Sequence, residues 1–394
     1  MLGDWLTELT ESTAERRDFR IVSPDELASN KLDAILKASG RAYVWPVEEY
    51  AEDLARDGRV METLSEHNCQ GWLQGYLLSG RHGLFPTYEA FAAIVDSMAN
   101  QYAKWLKMSR EVPWRAPVSS LTYLLTSEGW RQEHNGYSHQ GPGFISNLLD
   151  RKSTVTGVYL PPDANTLLVT MERLLDETGK INAVVAGKHD AAQWLDLDAA
   201  REHCRAGASA WTWAGTAGDG PAEAVLACAG GIPTVESLAA ADLLRRDLPD
   251  ARIRFVNIVD LCALAPPDRH PHGMSPERFH DLFGEDTPVV LDFHGYPSAV
   301  HQLLHGRPRP DRFHVRGYVE EGTTTTPYDL LALNGTTRHD LARTLLHHLD
   351  RTDRHAGRAR TLAEHYARHR DELRRELRRT GEDPVEITEW RWPG

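Results

Sequence analysis

The feature that most constrains this chain is a repeated rhythm of short apolar runs and helix-length amphipathic stretches. Residues 119–126 (SSLTYLLT), 155–160 (VTGVYL) and 181–186 (INAVVA) are short runs dominated by apolar and β-prone residues. Runs of this kind read as strands buried on both faces, which a parallel sheet covered by helices requires. Helical patterns precede and separate them at 66–80, 88–108 and 163–179; in the second, Phe91, Ile94, Val95, Met98 and Tyr102 share one face. RAYVWP (41–46) is a shorter β-prone run. After a stretch rich in Gly, Ala and Thr at 207–223 the rhythm restarts. Strands are expected at 224–230, 253–261, 287–295 and in RFHVRGYVEEG (312–322), with helices at 234–248, 276–283, 298–304, 338–349 and 358–379. The expected class is α/β: two doubly wound domains with mainly parallel sheets, at 21–206 and 207–394, after a polar lead at 1–20 without a core pattern.

Charge narrows the function classes. With 57 acids against 44 bases the net charge is −13, which gives a general nucleic-acid partner no electrostatic support. Helix 358–379 is arginine-rich, but its interleaved acids read as a solvated face. Cys69, Cys204, Cys228 and Cys262 are far apart and form no CxxC pair, so no metal site or disulfide framework is expected and a reducing cytoplasm fits. No run of 18 apolar residues marks a membrane span, and the acidic first residues are not signal-like.

Three places carry candidate chemistry. Ser65 is a candidate N-cap, and Glu66 would sit in a first helical turn, where a carboxylate gains from the helix dipole. Glu66 reads either as a helix-start acid or, with His67 and His82 near in sequence, as a placed acid/base group. The second place is the polar loop holding Arg131, Glu133, His134, Asn135, Tyr137, His139 and Gln140, which follows a strand. Histidines in such a loop can shuttle protons or donate to phosphate, although a polar surface loop is the bland alternative. Lys188 also follows a strand and suits an anion, or is simply an exposed lysine. Neither GxxxxGK[ST] nor GxGxxG occurs.

The longer runs resemble one family. SPDELASN (23–30), GRVMETLSEHNCQGWLQGYLLSGRHGLFPTYEAF (58–91), HNGYSHQGPG (134–143), YLPPDANTLL (159–168) and VAGK (185–188) resemble the phosphoketolases. So do VNIVDL (256–261), FHGYP (293–297), HVRGY (314–318), GTTTTPYDL (322–330) and GEDPVEITEWRW (381–392). The resemblance implies a transketolase-like fold, of which only the pyrimidine-binding and C-terminal domains match. The family's diphosphate-binding domain has no counterpart here, so thiamine diphosphate and Mg2+ are expected to be held by a second polypeptide, in a heterotetramer.

The implied activity is thiamine-dependent cleavage of xylulose 5-phosphate or fructose 6-phosphate with inorganic phosphate, giving acetyl phosphate and an aldose phosphate. By resemblance Glu66 hydrogen-bonds the aminopyrimidine ring, Tyr88 packs on it, and Ser29 and Asn30 lie near thiamine and substrate. His134, Asn135 and His139 match the loop meeting the sugar phosphate; Lys188 matches a phosphate contact, and one arginine at or near Arg115 a further one. Gln74, Glu133 and Gly231 stand where the family has Glu, Asp and Asp, which leaves open a changed substrate or acceptor. Two other readings follow: a two-carbon ketol or acyl transferase subunit with another acceptor, and a non-catalytic regulatory or scaffold subunit.

Overall fold

In the computed structural model, residues 1–130, 136–218, 220–352 and 354–393 are described. They fall into two units, Met1–Glu128 with Gly143–Cys204, and Gly129–Pro142 with Arg205–Gly394. The first is built on strands β1 (Phe19–Ser23), β2 (Arg41–Ala42), β3 (Leu54–Ala55), β4 (Val60–Glu62), β5 (His82–Thr87), β6 (Leu121–Leu125), β7 (Thr156–Tyr159) and β8 (Ile181–Val185). They form one sheet in the order β3-β2-β4-β1-β5-β6-β8-β7, and every pairing is parallel. From β1 the order runs outward both ways, so the sheet is doubly wound and β1 marks its switch point. The second unit carries β9 (Ala208–Ala210), β10 (Ala224–Ala229), β11 (Ile253–Ile258), β12 (Val289–Phe293) and β13 (Phe313–Arg316). Their order is β13-β12-β10-β11-β9, with only the β9 edge antiparallel. The α/β class with two mainly parallel sheets is therefore observed.

Four of the expected strands are buried on both faces: every residue of β6, β8, β10 and β12 is buried. The polar lead is a correction. Leu2–Ser12 is a helix whose Leu6 is fully buried, with Leu2, Trp5 and Leu9 packed against the same core as Phe19 and Ile21. Spacing of i, i+3, i+4 and i+7 gives these four a common face, and burying Leu6 alone contributes about 2 kcal/mol. The remaining polar residues hid that stripe. The run 41–46 pairs only through Arg41–Ala42, while Val44 and Trp45 are exposed. The helix expected at 88–108 is broken into Glu89–Ala92, a 3-10 turn Ala93–Val95 and Asp96–Arg110. Arg151 holds both Asp96 carboxylate oxygens at the second start, at 3.1 and 3.0 Å, and Ile94 faces solvent.

All four cysteines are buried free thiols. Among the described residues, no helix is long and apolar enough to cross a membrane.

Candidate active site

Because every strand of the first sheet runs the same way, the segments that follow them share one edge. Asp25 to Asn30 follow β1, Glu66 follows β4, Tyr88 follows β5, Glu128 follows β6 and Lys188 follows β8. This is the edge, beside the switch point, where open parallel sheets bind ligands.

Three of the expected site residues meet in direct contact. Lys188 Nζ donates to the Ser29 carbonyl at 3.0 Å and to the Tyr88 hydroxyl at 3.2 Å. The same ammonium lies 4.4 Å from the Tyr88 ring centroid, close enough for cation–π attraction. Tyr88 Oη in turn donates to the Ser29 carbonyl at 3.4 Å. The turn that carries Ser29 is pinned from below. Glu62 Oε1 accepts from the Leu27 amide at 2.8 Å, and its other oxygen accepts from Arg41 Nε at 2.6 Å. Asn30, buried, donates to the Glu26 carbonyl at 3.0 Å and accepts from the Thr126 hydroxyl. Its amide therefore holds the turn.

Glu66 opens the helix Glu66–Leu78 and is half-buried. Ser65 occupies the N-cap in extended conformation, but its side chain makes no capping bond. The first-turn carboxylate thus sits at a helix start whose amides lack a side-chain cap. Asp25, which the sequence reading did not single out, shares this edge. Burial raises its carboxyl above the usual range, the Glu66 carboxylate raises it further, and Lys188 opposes both. Glu128 was also missed. An added Cβ at Gly187 would stand 2.3 Å from a Glu128 carboxylate oxygen, which puts that carboxylate directly over the Gly187 backbone. In both cases the available signal was an acid placed just after a strand. Cys69, one turn into the helix, is pushed up to about 11 by burial and is not a thiolate nucleophile.

Other expected residues lie elsewhere. Arg115 precedes β6, at the opposite edge, where its exposed guanidinium stands 5.1 Å from the Trp105 ring and 5.5 Å from the Trp114 ring. His82 begins β5 at that same far edge, bonded to Ser119 and to the Leu175 carbonyl, and His67 is exposed. His139 belongs to the second unit, on the 3-10 turn Gly136–His139, with Ser138 Oγ 3.0 Å from its Nδ1. His134 and Asn135 lie outside the described residues.

The donor set at the first edge offers a carboxylate acceptor, an aromatic plate and a cation. That suits a flat nitrogen heterocycle and an anionic group, and so fits the aminopyrimidine end of thiamine. Among the described residues, no group of three His, Cys, Asp or Glu is arranged to hold a metal ion.

Comparison with known proteins follows this geometry. The sequence model of D-xylulose 5-phosphate/D-fructose 6-phosphate phosphoketolase matches residues 1–177, and that of the same family's C-terminal domain matches 188–392. A probable phosphoketolase of Bradyrhizobium diazoefficiens is 51% identical over all of this chain and 49% of its own length. One of Streptomyces avermitilis is 50% identical with the same coverage. The chain thus spans about half the length of the curated relatives it matches. Among solved structures, transketolase from Leishmania mexicana superposes with a TM-score of 0.63 at 15% identity, over 89% of this chain and 43% of its own. A split-gene transketolase described as an inactive β4 tetramer gives 0.58 at 16% identity, over 88% of this chain and 96% of its own. At such identity these structures establish a transketolase-like fold.

Proposed function

The chain belongs to the D-xylulose 5-phosphate/D-fructose 6-phosphate phosphoketolase family, and on that premise we propose that it is the pyrimidine-binding and C-terminal part of a thiamine-diphosphate-dependent phosphoketolase. A second polypeptide carries the diphosphate-binding domain and holds Mg2+. The substrate is a ketose phosphate, D-xylulose 5-phosphate or D-fructose 6-phosphate, cleaved with inorganic phosphate to acetyl phosphate and an aldose phosphate. Bound thiamine diphosphate supplies the carbanion-stabilising centre for breaking the bond beside the ketose carbonyl.

The chain's own residues do the remaining work. Glu66 accepts a hydrogen bond from a pyrimidine ring nitrogen, and the charge-assisted bond holds a proton at that nitrogen. Tyr88 packs against the ring. Lys188, oriented by the Ser29 carbonyl and the Tyr88 hydroxyl, presents a positive charge to the substrate phosphate. His139, with His134 and Asn135, contacts the sugar phosphate.

The observation that carries this reading is the gathering of Ser29, Glu66, Tyr88 and Lys188 at one sheet edge, with Ser29 and Lys188 159 positions apart. Likeness to a split-gene transketolase whose β4 tetramer is inactive supports a two-chain arrangement, with a heterotetramer as the assembly. Four buried free thiols suit a reducing cytoplasm as its compartment. The test mixes this chain with a diphosphate-binding-domain chain, thiamine diphosphate, Mg2+, phosphate and either ketose phosphate. Acetyl phosphate is expected from the mixture and from neither chain alone; none from the mixture, with both chains folded, overturns the reading.

A further inference from the structure

The turn that carries His139 is held in the second unit by an arrangement that the reaction above does not explain. Tyr137, two residues before His139, donates from its hydroxyl to the Glu320 backbone carbonyl at 3.0 Å. Its ring fills the space over Gly322, where an added Cβ would stand 2.0 Å from a ring carbon. Glu320 is itself tightly specified. Its carboxylate accepts from the Tyr296 hydroxyl and, at 3.4 Å, from the Tyr318 hydroxyl. Asn334, buried, fastens the same loop by accepting from the Val319 amide at 2.9 Å and donating to the Glu321 carbonyl at 2.8 Å. Glu320 has a left-handed φ of +62°. A non-glycine residue holds such a conformation only where its surroundings over-determine it.

The other end of the segment is anchored as firmly. The Gly129 amide donates to His294 Nδ1 at 3.4 Å, and Trp130, 1% exposed, packs with Tyr318, Ile232, Leu330 and Leu331. Three tyrosines around one exposed glutamate are more than loop closure needs. Their common consequence is to hold the short turn Gly136–His139 in one place, with Ser138 fixing the His139 ring.

We propose that Glu320, Tyr137 and Gly322 form a clamp that positions His139 for the ketose phosphate, with Tyr137 the positioning residue. The clamp's role in substrate binding rests on the phosphoketolase reading; its hold on His139 does not. Holding a contact group in place before the substrate arrives lowers the ordering cost of binding, and misplacement by an ångström is costly.

The experiment has two arms. In the full chain labelled with 15N-histidine, Gly322→Ala drives the Tyr137 ring aside. It is expected to move the His139 ring resonances, while those of His339 stay fixed. Tyr137→Phe keeps the ring, loses one hydrogen bond and gives a smaller shift of the same kind, so it decides alone if the alanine variant fails to fold. In the reconstituted enzyme both variants are expected to raise KM for the ketose phosphate, by about tenfold for Gly322→Ala, with kcat within about threefold and thiamine diphosphate affinity unchanged. A folded protein whose His139 signal stays in place in both variants overturns the clamp, even if thermal stability falls. Absence of turnover in the reconstituted wild type overturns the proposed function instead, and the resonance arm still decides the clamp.

Discussion

The Lys188 ammonium stands 4.4 Å from the Tyr88 ring centroid and 3.2 Å from the Tyr88 hydroxyl, although 100 positions separate the two residues. The contact leaves the ammonium at the strand-end edge with its direction set by an aromatic face and two oxygen acceptors. Lys188→Met is therefore expected to raise KM for the ketose phosphate by about ten- to a hundredfold, with little change in thermal stability. Lys188→Arg restores only part of this, since a planar fork cannot take the place of a compact ammonium over the ring. Initial-rate kinetics on the reconstituted enzyme check both; equal KM values in Lys188→Met and wild type contradict the assignment.

Glu66 tests the proton-holding role. Glu66→Gln is expected to lower kcat by about 10²- to 10⁴-fold, because a neutral amide cannot give a charge-assisted bond to the ring nitrogen. Its loss from the helix start costs only about 0.3–1 kcal/mol, so the melting temperature of the chain should shift by a few degrees at most. Full turnover in the variant would place the chemistry elsewhere.

Asp292 makes a prediction about stability. It is fully buried on β12, and burial, reinforced by Glu236, raises its carboxyl well above the ordinary range against the opposing Phe293 amide and Arg316 charge. A raised acid binds a proton in the folded state that the unfolded state releases, so its cost grows as pH rises above the unfolded value of about 4. Asp292→Leu, of similar shape, should therefore gain stability over wild type as pH goes from 5 to 8. The gain is about 1.4 kcal/mol per unit for as long as the folded carboxyl keeps its proton. Urea denaturation at several pH values measures it; a gain independent of pH refutes it.

His339 works in the opposite direction. It is 2% exposed, its Nδ1 lies 2.9 Å from the Tyr328 hydroxyl, and its pKa is lowered to about 3 by burial, with His369 and Arg338 adding to the shift. A depressed histidine stabilises the fold above its unfolded value of about 6.5 and forfeits that contribution as pH falls towards 3. His339→Gln should be less stable than wild type at pH 8, yet lose less between pH 6.5 and 4. Parallel melting curves for the two proteins decide.

The buried pair between Glu236 and Arg338 gives a third stability test. Arg338 donates from Nη2 to Glu236 Oε1 at 2.7 Å and from its backbone amide to Oε2 at 2.7 Å, and both side chains are about 5% exposed or less. Glu236→Ala leaves a buried guanidinium unpaired and should cost about 3–5 kcal/mol. A loss below about 1 kcal/mol, read from chemical denaturation, would mean that water reaches the arginine.

Legibility in the sequence followed burial. β6, β8, β10 and β12 have every residue buried, so their composition alone announced them. β1 and β5 were not anticipated: β1 follows the charged lead, and Pro86 interrupts the β5 pattern. The helix Leu2–Ser12 was missed because four apolar residues among eleven form a face only once wound. At the site, residue types were readable and neighbours were not. His82, close to Glu66 in sequence, begins β5 at the opposite sheet edge and His67 is exposed, while Asp25 is a true electrostatic neighbour.

The sequence by itself determined the α/β class, the alternation of buried strands with helices, and the kinds of side chain available for chemistry. Those properties are local: period, propensity and the residue placed after a strand. Only the tertiary structure decided that Ser29, Glu66, Tyr88 and Lys188 share one edge while Arg115 lies at the other. It also decided that Tyr137 sits over Gly322. The reason is that parallel pairing sets which strand ends are neighbours, and packing sets which side chains touch, whatever their separation along the chain.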